Sequence, residues 1–135
     1  MRIMAVDYGD ARTGIAVSDV SASLVGDAWV VHSKREKEVA QTLVGEAIER
    51  GVSRIVIGFP KNMDGSIGPR AEKSESFAEL LRSLCDIEVL LWDERMTTLS
   101  ANRILTDTGK FGKKRKKTID AVAASLILES YLGSL

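Results

Sequence analysis

Three acidic positions carry the chemistry this sequence offers. Asp7 closes the apolar run Ile3-Met4-Ala5-Val6, Asp93 and Glu94 close the run Val89-Leu90-Leu91-Trp92, and Asp120 lies at the start of the last apolar-periodic segment. Each also has a plain structural reading. Asp7 can start a turn with Gly9, Glu94 can pair with Arg95 or cap a helix, and Asp120 can complement the positive end of a helix dipole. Taken together they point further. Acids at the carboxyl ends of neighbouring strands meet at one edge of a sheet, and carboxylates brought together raise one another's pKa unless a cation lies between them. Oxygen donors with no His or Cys near them select Mg²⁺ or Mn²⁺ over zinc. Carboxylate-held pairs of such ions split phosphodiesters by in-line attack of water.

The charge distribution gives these acids a counterpart. The chain has 135 residues and a formal net charge of +0, with nineteen basic and nineteen acidic side chains. Six of the cations fall between Lys110 and Lys117, a stretch with no acid, so the rest of the chain carries −6. Such a run is either a solvated loop or a contact for a polyanion that neutralises it. Composition is that of a globular protein, with 44% hydrophobic and 28% charged residues, enough for a core without metal or disulfide staples. A single cysteine, Cys85, excludes an internal disulfide. The N-terminal apolar run stops at Asp7, short of a signal sequence, and no run approaches the ~20 residues of a membrane span. A single domain over residues 1–135, cytoplasmic and without membrane contact, is expected.

The elements that must position the acids follow from periodicity. Strands are predicted at Arg2–Asp7, Thr13–Ser18, Asp27–His32, Arg54–Gly58 and Ile87–Trp92, the first two joined as an antiparallel hairpin by Gly9-Asp10-Ala11. Ser33-Lys34-Arg35-Glu36 has the spacing of a capping box, and a helix with Val39, Leu43, Val44, Ala47 and Ile48 on its apolar face should follow and stop at Gly51. Pro69 opens a helix whose apolar face is Phe77, Leu80, Leu81 and Leu84. Another carries Ala101, Ile104 and Leu105. Thr118 caps a last helix with Ile119, Val122, Ala123, Leu126, Ile127 and Tyr131 in one stripe. Early hairpin strands followed by β-α-β crossovers imply an α/β fold, a mixed sheet with helices on both faces. The long loop Pro60–Pro69 lies at a strand end, where functional loops concentrate.

Four segments resemble one family in its own order. Asp7-Tyr8-Gly9-Asp10-Ala11-Arg12-Thr13-Gly14-Ile15-Ala16-Val17-Ser18-Asp19 is similar to the D-x-G-x-x-R-x-G-x-A-x-x-D signature of the YqgF/RuvX family, described as pre-16S rRNA nucleases and as Holliday-junction resolvases. Gly58-Phe59-Pro60-Lys61-Asn62-Met63-Asp64-Gly65 resembles its G-x-P-x-x-x-D-G loop, Asp93-Glu94-Arg95-Met96-Thr97-Thr98 its D-E-R segment, and Asp120-Ala121-Val122-Ala123-Ala124 its D-x-x-A-A helix. The resemblance spans nearly the whole chain. It implies a ribonuclease-H-like fold with a five-stranded mixed sheet, a magnesium-dependent nuclease, and maturation of the 5′ end of 16S rRNA as the task. It also implies that Asp7, Glu94 and Asp120 are the catalytic and metal-holding acids. Strand parity decides between Asp93 and Glu94. Glu94 is expected to face the site, with Asp93 as a hydrogen-bonding neighbour.

Around those acids, Arg12 and Arg95 are expected to orient a phosphate or brace the carboxylates, and Lys61 and Asn62 to reach a flanking phosphate. Lys113, Lys114, Arg115, Lys116 and Lys117 would add salt-sensitive affinity without reading bases. Tyr8 and Phe111 are the candidates for base stacking. His32, Cys85, Trp29 and Trp92 read as structural. Structured RNA and branched DNA both suit this arrangement. Cleavage of a symmetric junction would call for a homodimer, whereas trimming RNA needs only a monomer. A non-catalytic nucleic-acid-binding factor is another alternative, and clustered acids argue against it because a mere binder gains nothing from their repulsion; a phosphotransferase of the actin and sugar-kinase type would need two such domains to clamp its nucleotide.

Overall fold

A computed structural model describes residues 1–94 and 112–135, with the backbone alone for 112–118. The elements run β1 (Arg2–Asp7), β2 (Arg12–Ser18), β3 (Val25–His32), α1 (Glu36–Glu49), β4 (Val52–Phe59), α2 (Pro69–Leu84), β5 (Glu88–Asp93) and α3 (Gly112–Gly133). The helix expected around Ala101, Ile104 and Leu105 lies outside the described residues, as do Arg95 and Phe111. The five strands form one mixed sheet in the order β3-β2-β1-β4-β5. β1 pairs antiparallel with β2 and parallel with β4, and β4 pairs parallel with β5. The three parallel strands therefore end at the same edge.

Both faces of the sheet are covered. Met4, Val6, Ile15, Val17, Ile55, Ile57 and Val89 pack with α1 and α2. Ile3, Ala5, Ala16 and Val56 pack on the other face with Ala124, Ile127, Leu128 and Tyr131 of α3. This double burial is why β1 reads as an unbroken apolar run instead of alternating. The alternation of side chains along a strand then assigns the acids. Asp7 shares its face with Ile3 and Ala5, the α3 side. In β5, Leu91 packs toward α1 and α2 while Leu90 and Trp92 pack toward α3. Asp93 therefore belongs to the first face, and the parity continued by one residue puts Glu94 on the second, with Asp7.

Three local expectations need correction. No capping box forms: Arg35 occupies the N-cap of α1 without a side-chain cap. The backbone N–H of Ser33 donates to the Ala11 carbonyl at 3.1 Å, which holds Ser33 in the strand ladder, and its hydroxyl accepts from the Arg35 N–H at 3.1 Å. Ile48 is 65% exposed and leaves the apolar face of α1 to Val39, Ala40, Leu43, Val44 and Ala47. Finally, α3 begins at Gly112, not at Thr118. Lysine and arginine are good helix formers, and the basic run supplies the opening turns of the helix instead of the loop before it. Asp120 consequently sits in the third turn, beyond the reach of the helix N-terminus.

Candidate active site

Two glycines let the acids converge. Asp7 at the end of β1 is the register partner of Gly14 in β2, and Gly58 in β4 lies one step beyond the Val6–Ile57 pair. A Cβ on Gly14 would run into the main-chain carbonyl of Asp120, whose carbonyl carbon would be 2.7 Å away. A Cβ on Gly58 would meet the Glu94 carboxyl and lie 2.6 Å from Ile127 Cδ1. The missing side chains on either side of Asp7 thus admit Asp120 from α3 over β2, and the Glu94 carboxyl over β4. Below them, α3 is held to the sheet by Trp92 Nε1 donating to Ser130 Oγ at 3.0 Å, the edge-on packing of Trp92 and Tyr131, and Arg54 Nη1 donating to Tyr131 Oη at 2.6 Å.

The electrostatics are those of carboxylates crowded together. Burial raises Asp7 above the usual carboxylate range, and the nearby Asp120 charge adds to this, while a hydrogen bond with Glu94 and the charge of Arg70 oppose it. Burial likewise pushes Glu94 up to about 8, helped by the Asp7 charge and the hydrogen bond between them. Both shifts favour a proton held between the two carboxyls, which their hydrogen bond requires. Arg12 Nε stands 3.3 Å from Asp120 Oδ2, an ion pair that lacks hydrogen-bond geometry. Asp120 Oδ2 is buried and has no hydrogen-bond partner among the described residues.

These observations fit a divalent cation in donor chemistry. The donors are all carboxylate oxygens: Asp7 and Glu94 share a hydrogen bond, and Asp120 Oδ2 is buried without a hydrogen-bond partner among the described residues. Among the described residues, no three acidic, histidine or cysteine side chains are gathered closely enough to hold an ion as they stand.

The sequence matches the family described as "RuvX: Holliday junction resolvase" over residues 1–134. It is 45% identical over 133 residues to a "Putative pre-16S rRNA nuclease" of Halothermothrix orenii, covering 98% of this chain and 95% of that one. A protein of the same description from Acetivibrio thermocellus is 42% identical over 136 residues, covering 99% and 96%. This chain belongs to the RuvX family.

Membership of the RuvX family makes it an enzyme, a nuclease of nucleic-acid processing. The fold agrees. Thermus thermophilus RuvC in complex with a Holliday junction substrate superposes with a TM-score of 0.67 at 12% identity, covering 99% of this chain and 96% of that one. The fowlpox virus resolvase in complex with Holliday junction DNA gives 0.62 at 13% identity, covering 99% and 98%. The mixed sheet with helices on both faces is therefore the ribonuclease-H-like fold of the RuvX family.

The remaining expected residues divide. Arg12 reaches Asp120, as a brace would. Lys61 lies over the Phe59 ring at 5.7 Å, at the strand-end loop. Asn62 is occupied within that loop: its amide donates to Ser66 Oγ at 2.9 Å, and its backbone exchanges hydrogen bonds with Ser66 and Gly65. One face of the partly buried Tyr8 ring is taken by Phe77, stacked with centroids 4.2 Å apart. The side chains of Lys113, Lys114, Arg115, Lys116 and Lys117 lie outside the described residues. Two basic groups beside the acids had no sequence signal of their own. Lys73 Nζ bonds Asp10 Oδ1 at 2.8 Å, and Arg70 lies close enough to pull down Asp7, Asp10 and Glu94. Only their position in the first turns of the helix after the strand-end loop points to them.

Proposed function

We propose that this RuvX-family chain hydrolyses phosphodiester bonds in maturing the 5′ end of pre-16S rRNA, with Asp7, Glu94 and Asp120 as the catalytic acids. The observation that carries this is the hydrogen-bonded carboxyl pair Asp7–Glu94 with Asp120 nearby, whose Oδ2 is buried and has no hydrogen-bond partner among the described residues. Those three carboxylates would hold one or two Mg²⁺ or Mn²⁺ ions. When bound, such ions supply Lewis acidity toward the scissile phosphate and a water acidic enough to attack it. The chain's own contribution is placement. Asp7 is fixed by the β1 ladder, Glu94 follows the end of β5, and Asp120 rides on α3, pressed against Gly14. Arg12 steadies Asp120 from the solvent side. Glu94 would hold such an ion as the ionised carboxylate, the form that its burial and the Asp7 charge disfavour.

The polyanion is met by charge outside the carboxylates. Five cations, Lys113, Lys114, Arg115, Lys116 and Lys117, occupy the opening turns of α3, where the helix dipole is itself positive. Nothing acidic in that first turn offsets them, so a phosphate backbone is the counter-charge that suits them. With Arg95 and Lys61 they form the proposed nucleic-acid contact. Asn62, exposed in the same loop, is the further polar group proposed for that contact, its amide nitrogen already donating to Ser66 Oγ. A single domain acting in the cytoplasm fits a ribosomal precursor as substrate, and no described helix is long and apolar enough to cross a membrane.

Branched DNA is the second reading, favoured by the description of the matching family. One experiment separates the two. The purified protein is incubated with pre-16S rRNA and with a four-way DNA junction, with and without Mg²⁺ or Mn²⁺, beside an Asp7→Asn control. Metal-dependent trimming of the RNA, abolished in the control, supports the first reading. Symmetric incision of the junction by a dimer replaces it with the second. Cleavage of neither removes the nuclease role from these residues.

A further inference from the structure

An anionic strand approaching three carboxylates needs positive charge that is not already spent. Two of the cations nearest the acids are spent: Arg12 is paired with Asp120 and Lys73 with Asp10. Arg70 is different. It is exposed, and its side chain makes no ion pair or hydrogen bond with the described residues. Its position is nonetheless set. The Lys73–Asp10 contact ties the start of α2 to the β1–β2 turn, three residues past Asp7. Arg70, three residues before Lys73, lies on the same helix face and one turn nearer the strand-end loop. From there its charge is felt by Asp7, Asp10 and Glu94 alike.

We infer that Arg70 holds a phosphate of the substrate strand next to the scissile one, because among the described residues it is a guanidinium beside the carboxylate cluster that is not taken up in an ion pair. Guanidinium suits this role: it stays charged, and its planar fork of donors matches two phosphate oxygens at once. The contact reads no base, so it serves RNA and DNA equally. The inference rests on the nuclease reading above and can be tested apart from cleavage.

The test measures binding of a labelled RNA stem–loop with a single-stranded 5′ extension across a salt series, using Asp7→Asn protein with and without Arg70→Ala or Arg70→Lys. Removing one phosphate contact should weaken binding about tenfold and make the log–log salt slope shallower by about 0.7–0.9. Arg70→Lys should keep the slope, since it keeps the charge. In the cleaving background, Arg70→Ala should raise KM far more than it lowers kcat, with Tm unchanged. An unchanged affinity and slope in Asp7→Asn/Arg70→Ala would overturn the inference. So would a drop in Tm with the slope intact, which marks Arg70 as a structural brace. If the wild type cleaves nothing, the nuclease reading fails while the slope still decides the role of Arg70.

Discussion

The main-chain carbonyl of Asp120 occupies the space that a side chain on Gly14 would need. Gly14 is in turn the register partner of Asp7, so one close approach between α3 and β2 sets the spacing of two of the proposed catalytic acids. The D-x-G-x-x-R-x-G segment of the sequence thus carries both an acid and the gap that brings a second acid to it from more than a hundred residues away.

Gly14→Ala should therefore lift α3 from the sheet. The obstacle is backbone on both sides, which cannot rotate away, so the cost is that of overpacking, about 1–3 kcal/mol. Thermal unfolding should shift down by several degrees and metal-dependent cleavage should fall by at least about tenfold, since misplacing a catalytic group by about 1 Å already costs more than that. A variant that melts and cleaves like the wild type would show that α3 does not lie as described.

The acid pair predicts how stability varies with pH. Glu94 is raised to about 8 from an ordinary value of 4.5, chiefly by burial and then by Asp7, and Asp7 moves in the same direction. The folded protein therefore binds a proton that the unfolded chain releases above about pH 4.5. This contribution to stability is complete below that point and is lost as pH rises through about 8. In EDTA, Tm should decline between pH 5 and pH 8 more steeply in the wild type than in Glu94→Gln. Addition of Mg²⁺ at pH 8 should recover part of the loss, because bound cation stabilises the folded state by mass action. Equal slopes for the two proteins would exclude the buried proton.

Much of this site is legible in the sequence because strand ends are. Asp7 interrupts an apolar run that only a doubly covered strand explains, and the same holds for Asp93-Glu94 after β5. The choice between Asp93 and Glu94 was not legible, since it depends on which face of the sheet α3 covers. The start of α3 was misread for a local reason: Thr118 is a good cap, yet the lysines before it are equally content in a helix. Arg70 and Lys73 were invisible because their relevance arises only when α2 docks against the β1–β2 turn. Ser33 shows the converse failure, a capping pattern overridden by a backbone hydrogen bond to Ala11.

Arg12→Ala tests the brace on Asp120. The Arg12 side chain is 46% exposed, so the pair contributes to stability at the level of surface ion pairs, about 0–1 kcal/mol, and Tm should scarcely move. Activity should fall more, by about tenfold, because Asp120 loses the group that steadies its carboxylate. A higher Mg²⁺ requirement should accompany the loss, read from a metal titration of the initial rate. An unchanged titration curve would separate Arg12 from the carboxylates altogether.

Gly58→Ala provides the contrast to Gly14→Ala. Here the new methyl group meets the ends of two side chains, the Glu94 carboxyl and Ile127 Cδ1, and both can turn aside. Moving the Ile127 terminus costs little beyond a strained rotamer, about 0.5–1.5 kcal/mol, so the fold should tolerate the change better than it tolerates Gly14→Ala. The Glu94 carboxyl, however, has to leave its place beside Asp7. The expected result is a modest fall in Tm with a loss of cleavage as complete as in Asp7→Asn. The flattened pH dependence of stability expected of Glu94→Gln should also appear, because the carboxyl is no longer held against Asp7. Measuring Tm, cleavage and the pH slope on the two glycine variants side by side resolves the two effects. Gly14→Ala should lose stability and activity together, and Gly58→Ala mainly activity. If Gly58→Ala instead keeps full activity, Glu94 works from a position away from β4 and its contact with Asp7 is not the catalytic arrangement.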